Sequence, residues 1–139
     1  MKRYLTYLAW AVATFILGVV ISPIRFWTES IACGPNSSSA TYRSSYFLTL
    51  WSSGVTYPSI EKASEEFQNR LLEAVEIIER TPEFDKDGHQ VGERAVIFYI
   101  NDTHQNEYAV LSTNGKNFYS IQSSSLMPVL QFEKRFSGR

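Results

Sequence analysis

Few residues in this sequence are of the kinds that perform chemistry, and none has the spacing of a known catalytic or metal site. The two histidines, His89 and His104, lie in polar stretches with no second histidine or cysteine at ligand spacing, so zinc is not expected. Asp85-x-Asp87-Gly88 begins like a calcium loop, but the twelfth position, where such a loop has glutamate, is Val96. We therefore predict a plain tight turn at this point, no bound metal and no cofactor.

Signatures of nucleophilic and phosphate chemistry do not occur in the sequence. It contains no Gly-x-Ser-x-Gly elbow, no Gly-x-Gly-x-x-Gly loop and no Gly-Lys-Ser/Thr loop. The one cysteine, Cys33, has no histidine near it in the sequence to activate its thiol. We therefore predict that the protein is not an enzyme. A hydrolase, the alternative, would need a cleft with a perturbed acid or base, which only a structure reveals.

The N-terminus contains a long apolar segment. After a Met-Lys-Arg start, the sequence has no charged residue from Tyr4 to Ile24. A helix of that length rises about 1.5 Å per residue, covers roughly 30 Å and so crosses the hydrocarbon core of a bilayer. Aromatic residues typical of interfacial belts lie near both ends: Tyr4, Tyr7, Trp10, Phe26 and Trp27. We predict a membrane anchor within residues 1–27.

The charges that flank this segment predict its orientation. Lys2 and Arg3 precede it, whereas Arg25 and Glu29 follow it and cancel. The positive-inside rule therefore predicts a cytoplasmic N-terminus and a C-terminal domain in the periplasm or outside the cell. A cleaved secretory signal and a buried helix of a soluble protein are the alternatives. The apolar run is long for a signal, however, and no Ala-x-Ala site follows it closely.

Two features near the anchor could mediate association. Thr14, Gly18 and Ser22 recur every four residues, which places small side chains on one helix face and allows a second helix to approach closely. The alternative is a lipid-exposed anchor. Cys33 follows a small residue, as in a lipoprotein signal, but the charges of Arg25 and Glu29 interrupt the approach to it. Its thiol could instead bridge two chains in an oxidising compartment.

The rest of the sequence has the composition of one small folded domain. The net charge of the whole chain is −1, so no electrostatic field directs it to nucleic acid. Residues 28–45 contain the turn-rich run Gly34-Pro35-Asn36 followed by serines, which indicates a flexible tether. Residues 46–139 then form the extramembrane domain, which is long enough to bury one hydrophobic core.

A long amphipathic helix is the clearest element of this domain. Pro58 and Ser59 provide a start signal, and Pro82 is expected to end a helix that covers 59–79. The apolar positions recur at intervals of three and four residues and predict one buried stripe: Ile60, Ala63, Phe67, Leu71, Ala74, Val75 and Ile78.

Strand signals surround that helix. We predict a strand at 46–51, and a three-strand antiparallel meander at 94–100, 108–112 and 118–121. Asn114-Gly115 predicts a type I′ hairpin turn between the last two strands. Serines 123–125 are expected to cap a short C-terminal helix that begins near Leu126. The expected fold class is therefore α+β, a small meander sheet packed by one long and one short helix.

Three tyrosines fall on the predicted strands of the meander. If Tyr99, Tyr108 and Tyr119 share one exposed face of the sheet, they provide a surface for peptides or partner proteins. The alternative is cross-strand packing within the domain.

The C-terminal part of the chain carries three short motifs in a fixed order. They are Val75-Glu76-Ile77-Ile78-Glu79-Arg80-Thr81-Pro82, Asp87-Gly88-x-x-Val91-Gly92-Glu93-Arg94-Ala95-Val96, and Ser124-Ser125-Leu126 with Leu130-Gln131-Phe132-Glu133. In these motifs the chain resembles a set of uncharacterised bacterial proteins that also have an N-terminal apolar segment. Where those proteins have a Trp-Thr-Asp-Gly turn, this chain has Ser112-Thr113-Asn114-Gly115, which keeps the turn chemistry without the tryptophan. The resemblance implies a bacterial cell-envelope setting and no catalytic residue.

These observations predict a single-pass, membrane-anchored, non-catalytic accessory or interaction protein of the cell envelope or of a membrane complex. Its expected partners are the lipid bilayer and either another membrane protein or a second copy of the chain, and not nucleic acid. The alternative is a secreted or lipid-anchored domain that binds a small ligand or peptide.

Overall fold

The computed structural model describes residues 24–45 and 48–136, which form three strands, a helix, four strands and a second helix, with all seven strands in one antiparallel sheet. The strands are β1 (Phe26–Cys33), β2 (Ser37–Ser44), β3 (Thr49–Thr56), β4 (Glu76–Phe84), β5 (Gln90–Ile100), β6 (Asn106–Asn114) and β7 (Asn117–Ser123). The helices are α1 (Ile60–Glu73) and α2 (Leu126–Phe136). The α+β class, the antiparallel sheet, the longer helix and the short C-terminal helix are confirmed.

The sheet is larger than the predicted three-strand meander. Its strand order is β1-β2-β3-β7-β6-β5-β4, so the chain forms two consecutive meanders. Antiparallel pairing of β3 with β7 joins them, from Leu50 opposite Ser123 to Thr56 opposite Asn117. Polar loops at Asp85–His89 and Asn101–Gln105 connect neighbouring strands. The tight turn predicted at Asp85–Gly88 is confirmed, although no strand was predicted before it.

The predicted flexible tether at 28–45 is wrong, because these residues form most of the β1–β2 hairpin. The ladder runs from Phe26 opposite Ser44 to Cys33 opposite Ser38, with a β-bulge at Glu29. The low-complexity run gave a false linker signal because serine and threonine on an uncovered strand leave no apolar alternation to detect. Gly34-Pro35-Asn36 and Ser45 lie outside the strands, and the Gly34 N–H donates to the Ser37 carbonyl at 2.7 Å.

The predicted anchor falls almost entirely outside the described residues. Thr14, Gly18 and Ser22, the predicted helix-packing face, lie in that part of the chain. Within the ranges 24–45 and 48–136, no helix is long and apolar enough to cross a bilayer. Phe26 and Trp27, which we expected in an interfacial belt, belong instead to β1.

The start of α1 agrees with the sequence, but its end does not. Ser59 has an extended backbone and its hydroxyl accepts from the Lys62 N–H at 3.3 Å, which is an N-cap. The helix ends at Glu73 rather than at position 79, and Ala74 already has an extended backbone. The following β-branched residues pair with β5 as the edge strand β4, where Pro82 is tolerated because an edge strand has a free side.

Two hairpin details also differ from expectation. The strand predicted at 46–51 begins at Thr49, because the Ser44 N–H donates to the Leu48 carbonyl at 2.9 Å and closes the preceding turn. In the β6–β7 hairpin, Asn114 pairs with Asn117, so the central residues are Gly115 and Lys116. Only Gly115 has a positive φ (58°), which is the pattern of a type II′ turn and not of the predicted type I′.

The helices pack on opposite faces of the sheet and create two cores. On the α1 face the core comprises Phe67, Leu71, Ala95, Ile97, Ala109, Leu111 and Phe118. On the α2 face Val129 packs on Val96 and Val110. The apolar stripe of α1 is therefore confirmed at its centre, whereas Ile60, Val75 and Ile78 are exposed. Because β5 and β6 are buried on both faces, they read in sequence as almost continuous apolar runs.

One close approach in the sheet yields a stability prediction. A Cβ on Gly92 would lie 1.7 Å from the carbonyl oxygen of Thr113, a backbone atom that cannot move aside. We expect Gly92→Ala to destabilise the fold by about 3 kcal/mol or more, among the largest effects of single substitutions. The matched control is Gly115→Ala, which meets no atom within 4 Å and has only its positive φ to oppose it, at about 1–2 kcal/mol. Urea unfolding of both variants measures this order, and equal losses would contradict it.

Candidate functional site

The helices cover the half of the sheet formed by β1, β2 and β3 less than they cover the other half. Both α1 and α2 pack on β6 and β7, and α1 also reaches β5. On the first three strands Leu50 is buried and the rings of Phe26 and Tyr42 contact Phe132 of α2, whereas most other side chains are partly or fully exposed. Two concave surfaces result, one on each face.

The α2-face groove is a cavity of about 500 Å³ beside α2. Its floor consists of small side chains on neighbouring strands: Ser38, Ala40, Ser52, Gly54 and Ser112. Larger side chains form its walls: Ile31, Tyr42, Tyr119, Ile121 and Phe132. Ile31 and Tyr119 are exposed, at 68% and 47% of their maximal area. The groove is thus a shallow apolar trough with a serine-rich floor.

The N-terminal end of the described chain meets α2 beside this groove. Ile24 is buried, and its backbone N–H donates to the Gln131 side chain at 3.3 Å. The ring of Phe132, which lines the groove, packs edge-on against Phe26 at 5.3 Å and also against Tyr42 at 4.6 Å. The chain therefore enters the domain on the α2 face.

The second concave surface, which we call the Trp51 basin, lies on the α1 face. It consists of two cavities of about 400 and 560 Å³ that share Trp51 and Glu107. Strand register places Thr41, Trp51 and Gln122 side by side across three strands. Polar side chains complete the lining: Ser53, His104, Gln105, Asn106 and Ser124.

A buried hydrogen-bond network supports the floor of the Trp51 basin. Glu107 is 8% exposed, and its carboxylate accepts a short hydrogen bond from the Tyr99 hydroxyl and one from the Asn101 amide at 2.7 Å. In the structure the Tyr99 hydroxyl oxygen also lies 3.0 Å from Oε1 of the Gln122 side-chain amide. A hydroxyl has one proton, so we assign it to Glu107 and orient Gln122 with its NH₂ donating to Tyr99.

This environment favours the neutral form of Tyr99. Burial raises the pKa of the Tyr99 hydroxyl, and the hydrogen bond to the nearby Glu107 carboxylate raises it further. Asn101 also fixes the adjoining loop, because its side-chain oxygen accepts from the backbone N–H groups of Thr103 and Gln105 at 3.0 Å. The network is therefore structural and rigid, and it holds the loop beside Trp51 in place.

A buried ion pair stabilises the other end of the α2-face groove. Arg94 makes two parallel bonds of 2.6 Å to Glu133 and a third contact of 3.1 Å to Glu79. The Arg94 and Glu133 side chains are only 13% and 9% exposed. The hydrogen bonds to Glu133 raise the pKa of the Arg94 guanidinium, which therefore stays positively charged.

One group of potential metal ligands exists among the described residues. Ligand atoms of Asp85, Asp87 and His89 lie within 4.8 Å of one another in the exposed β4–β5 turn. The turn explains their proximity, since one Asp85 oxygen accepts from the backbone N–H groups of Asp87 and His89, both at 2.9 Å. These hydrogen bonds are typical of a plain turn stabilised by an aspartate side chain.

The predicted tyrosine surface is wrong in part, because strand parity separates its members. Tyr99 lies opposite Glu107 on the α1 face, whereas Tyr108 lies opposite Phe98 on the α2 face, where their rings are 5.2 Å apart. Tyr119 also lies on the α2 face and lines the groove. The three side chains therefore do not form one surface.

Cys33 is exposed at the end of the edge strand β1. Cleavage immediately before Cys33 would remove nearly all of that strand, including the Phe26 ring that packs on Phe132. Lipidation at this residue stays a prediction, and it would deprive the sheet of its first strand.

Sequence reasoning missed the residues that form the Trp51 basin. The sequence predicts a strand that includes Trp51 but not the side of the sheet on which its ring lies. Glu107 and Gln122 belong to no recognisable motif. One signal was available: Glu107 alternates with Ala109 and Leu111, so strand periodicity places a carboxylate on a buried face. A carboxylate at such a position requires hydrogen-bond donors, and Tyr99 on the neighbouring strand is the nearest one.

Removing Arg94 tests the buried ion pair. We expect Arg94→Met to lower the free energy of unfolding by about 3–5 kcal/mol, because Glu133 is left buried without its partner. The double variant Arg94→Met/Glu133→Met should recover most of that loss, since no orphan charge remains. Urea unfolding of wild type, Arg94→Met and the double variant measures the loss and its recovery. A double variant as unstable as Arg94→Met would contradict the assignment.

The raised pKa of Tyr99 predicts an alkaline loss of stability. The folded-state pKa exceeds the unfolded one, so the stabilisation is complete below about pH 10 and falls as pH rises above it. Tyr99→Phe should cost about 1–3 kcal/mol at neutral pH, because Glu107 loses a donor. It should also weaken the decline above pH 10, as measured by urea unfolding between pH 8 and 11. Tyr119→Phe is the exposed control, and an unchanged decline in Tyr99→Phe would refute the role of Tyr99.

Comparison with known proteins gives this domain no relative. No family model, no curated protein and no solved structure matches the chain. Function must therefore be argued from the residues and their geometry.

Proposed function

We propose that this protein is a single-pass, membrane-anchored interaction protein of the bacterial cell envelope, without a catalytic role. In this proposal the uncharged residues from Tyr4 up to Ile24 span the bilayer, Ile24 itself belongs to the domain, and the sheet domain lies on the periplasmic or outer side. The partner is an apolar segment of another membrane protein, which binds in the α2-face groove.

The observation that carries the proposal is the direct junction between the apolar run and the sheet. Ile24, the last residue of the run, is already buried against α2. Two hydrogen bonds hold Arg25 to Ser45. The Arg25 N–H donates to the Ser45 hydroxyl at 3.2 Å, and the Ser45 N–H donates to the Arg25 carbonyl at 2.8 Å. Strand β1 begins at the next residue. A chain joined in this way would hold the domain at the bilayer surface and not at the end of a tether.

The position of the groove supports the choice of partner. The anchor would enter on the α2 face, and the Phe132 ring that contacts Phe26 also lines the groove. The groove therefore lies close to the place where the chain would leave the bilayer. Its small floor residues allow a backbone to approach closely, and Ile31 offers an exposed apolar contact. An apolar juxtamembrane segment fits these properties better than a charged peptide.

A secreted or lipid-anchored ligand-binding domain is the second candidate, and the concave Trp51 basin is the observation that favours it. Mass spectrometry of the mature N-terminus separates the two. An intact Met-Lys-Arg start supports the anchor, whereas a start at Cys33 with the added mass of lipid supports the second candidate.

Topology and partner binding can be tested in the same cells. Protease added outside spheroplasts should degrade the domain, and inside-out vesicles should protect it. A photo-crosslinking residue at Ile31, on the rim of the groove, should form an adduct with a membrane protein. The same residue at Lys86, in the β4–β5 turn, is the matched control and should not.

The groove itself is tested by filling it. Ala40→Phe places a ring on the floor between β1 and β3 and should abolish the Ile31 adduct while the domain stays folded. Monomer alone after irradiation, or an adduct that persists in Ala40→Phe, would count against the proposed partner site. A homodimer adduct that Ala40→Phe abolishes would replace the heterologous partner with a second copy of the chain.

A further inference from the structure

The Trp51 basin has features that the proposed membrane role does not use. Trp51 is 39% exposed although it stands in the interior strand β3 of the sheet, and it lines both cavities of the basin. A large flat ring that lines two cavities offers an apolar surface to a ligand in either of them. Residues that only pack the fold do not need this arrangement.

Hydrogen-bonding side chains surround that ring. Thr41 and Gln122 are its direct neighbours on the adjoining strands, Ser53 follows on the same strand and face, and Ser124 lines the far cavity. Hydroxyl and amide groups of this kind both donate and accept. The site therefore presents one aromatic platform with neutral polar groups at its edge.

The charged residues in and around the basin indicate that it favours neither anionic nor cationic ligands. No lysine or arginine lines either cavity within the described part of the chain. Arg43, on the same face, is bound to Glu29 at 2.5 Å. Phosphate and carboxylate ligands therefore find no strong partner. A cationic ligand is also disfavoured, because the Glu107 carboxylate is buried and already accepts from Tyr99 and Asn101.

We propose that the Trp51 basin binds a neutral saccharide, with a sugar ring stacked on the Trp51 indole and its hydroxyls bonded to Thr41, Ser53 and Gln122. A sugar ring combines an apolar C–H face with a polar edge, which matches the platform and its surround. Each cavity lies within the range of about 300–1,000 Å³ that is typical of small-molecule sites. Two cavities that meet at one indole fit an oligosaccharide of at least two linked rings. This site does not involve the anchor, and it lies across the sheet from the α2-face groove, with which its smaller cavity shares the strand residues Ser39, Ala40, Ser52 and Ser53.

The test uses the full chain in detergent micelles, titrated with chitotetraose and cellotetraose. Binding is followed by calorimetry and by tryptophan fluorescence. We expect at least one of the two sugars to bind, and Trp51→Ala to weaken that binding about tenfold or more, as for a central aromatic contact. The matched control is Trp27→Ala. Trp27 is a similarly exposed tryptophan on the edge strand β1, outside the basin, and its loss should change affinity less than about twofold.

A second variant keeps the test valid if Trp51→Ala fails to fold. Ser53→Phe leaves Trp51 in place and fills the smaller cavity, so it should also block the sugar. The proposal is overturned if neither sugar binds, or if both tryptophan variants lose affinity equally. Binding of choline in place of either sugar would likewise overturn it and assign the basin to cations.

Discussion

The structure depends on the antiparallel pairing of β3 with β7. Among the described residues this ladder is the only strand pairing between the two meanders, and its neighbours on each side are hairpins that form locally along the chain. Side-chain hydrogen bonds reinforce it at both ends: the Ser123 hydroxyl donates to the Thr49 carbonyl at 2.8 Å, and Thr56 donates to Asn117 at 2.7 Å. Both concave surfaces cross this junction. Pairing β3 with β7 closes a long loop of chain and so costs conformational entropy. The favourable free energy of the ladder must exceed this cost, which the local hairpins avoid.

Local signals explain what the sequence predicted correctly. The Ser59 cap and the apolar stripe of α1 act within a few residues, and so do the tight turns that connect β4 to β5 and β6 to β7. The failures have equally physical causes. Serine- and threonine-rich strands on an uncovered half of the sheet show no apolar period, so β1 and β2 were assigned to a tether. The end of α1 was misplaced because Val75 and Ile78 continue a helical spacing, although pairing with β5 determines their structure.

The candidate sites were largely beyond sequence reasoning, since they arise from contacts between residues distant in the chain. Trp51 meets Gln122 only because β3 pairs with β7, and Gln131 reaches Ile24 across almost the whole sequence. Strand periodicity could have assigned neighbouring residues of a strand to opposite faces of the sheet. Odd-numbered residues of β5 face α1 and even-numbered ones face α2, which separates Tyr99 from Tyr108 once the register is known. Register itself is a tertiary property, set here by the two helices that bury opposite faces.

The different character of the two surfaces follows from the same alternation. Along β3, Ser52 and Gly54 face the α2-face groove, whereas Trp51 and Ser53 face the Trp51 basin. A slip of one residue in the β3–β7 ladder would turn the indole into the groove and the small residues into the basin. The groove would then lose the floor that admits an apolar segment, and the basin would lose its aromatic platform. The two proposed binding activities are therefore coupled through one register, and a variant that shifts this register should abolish both while one that fills a single cavity abolishes only one.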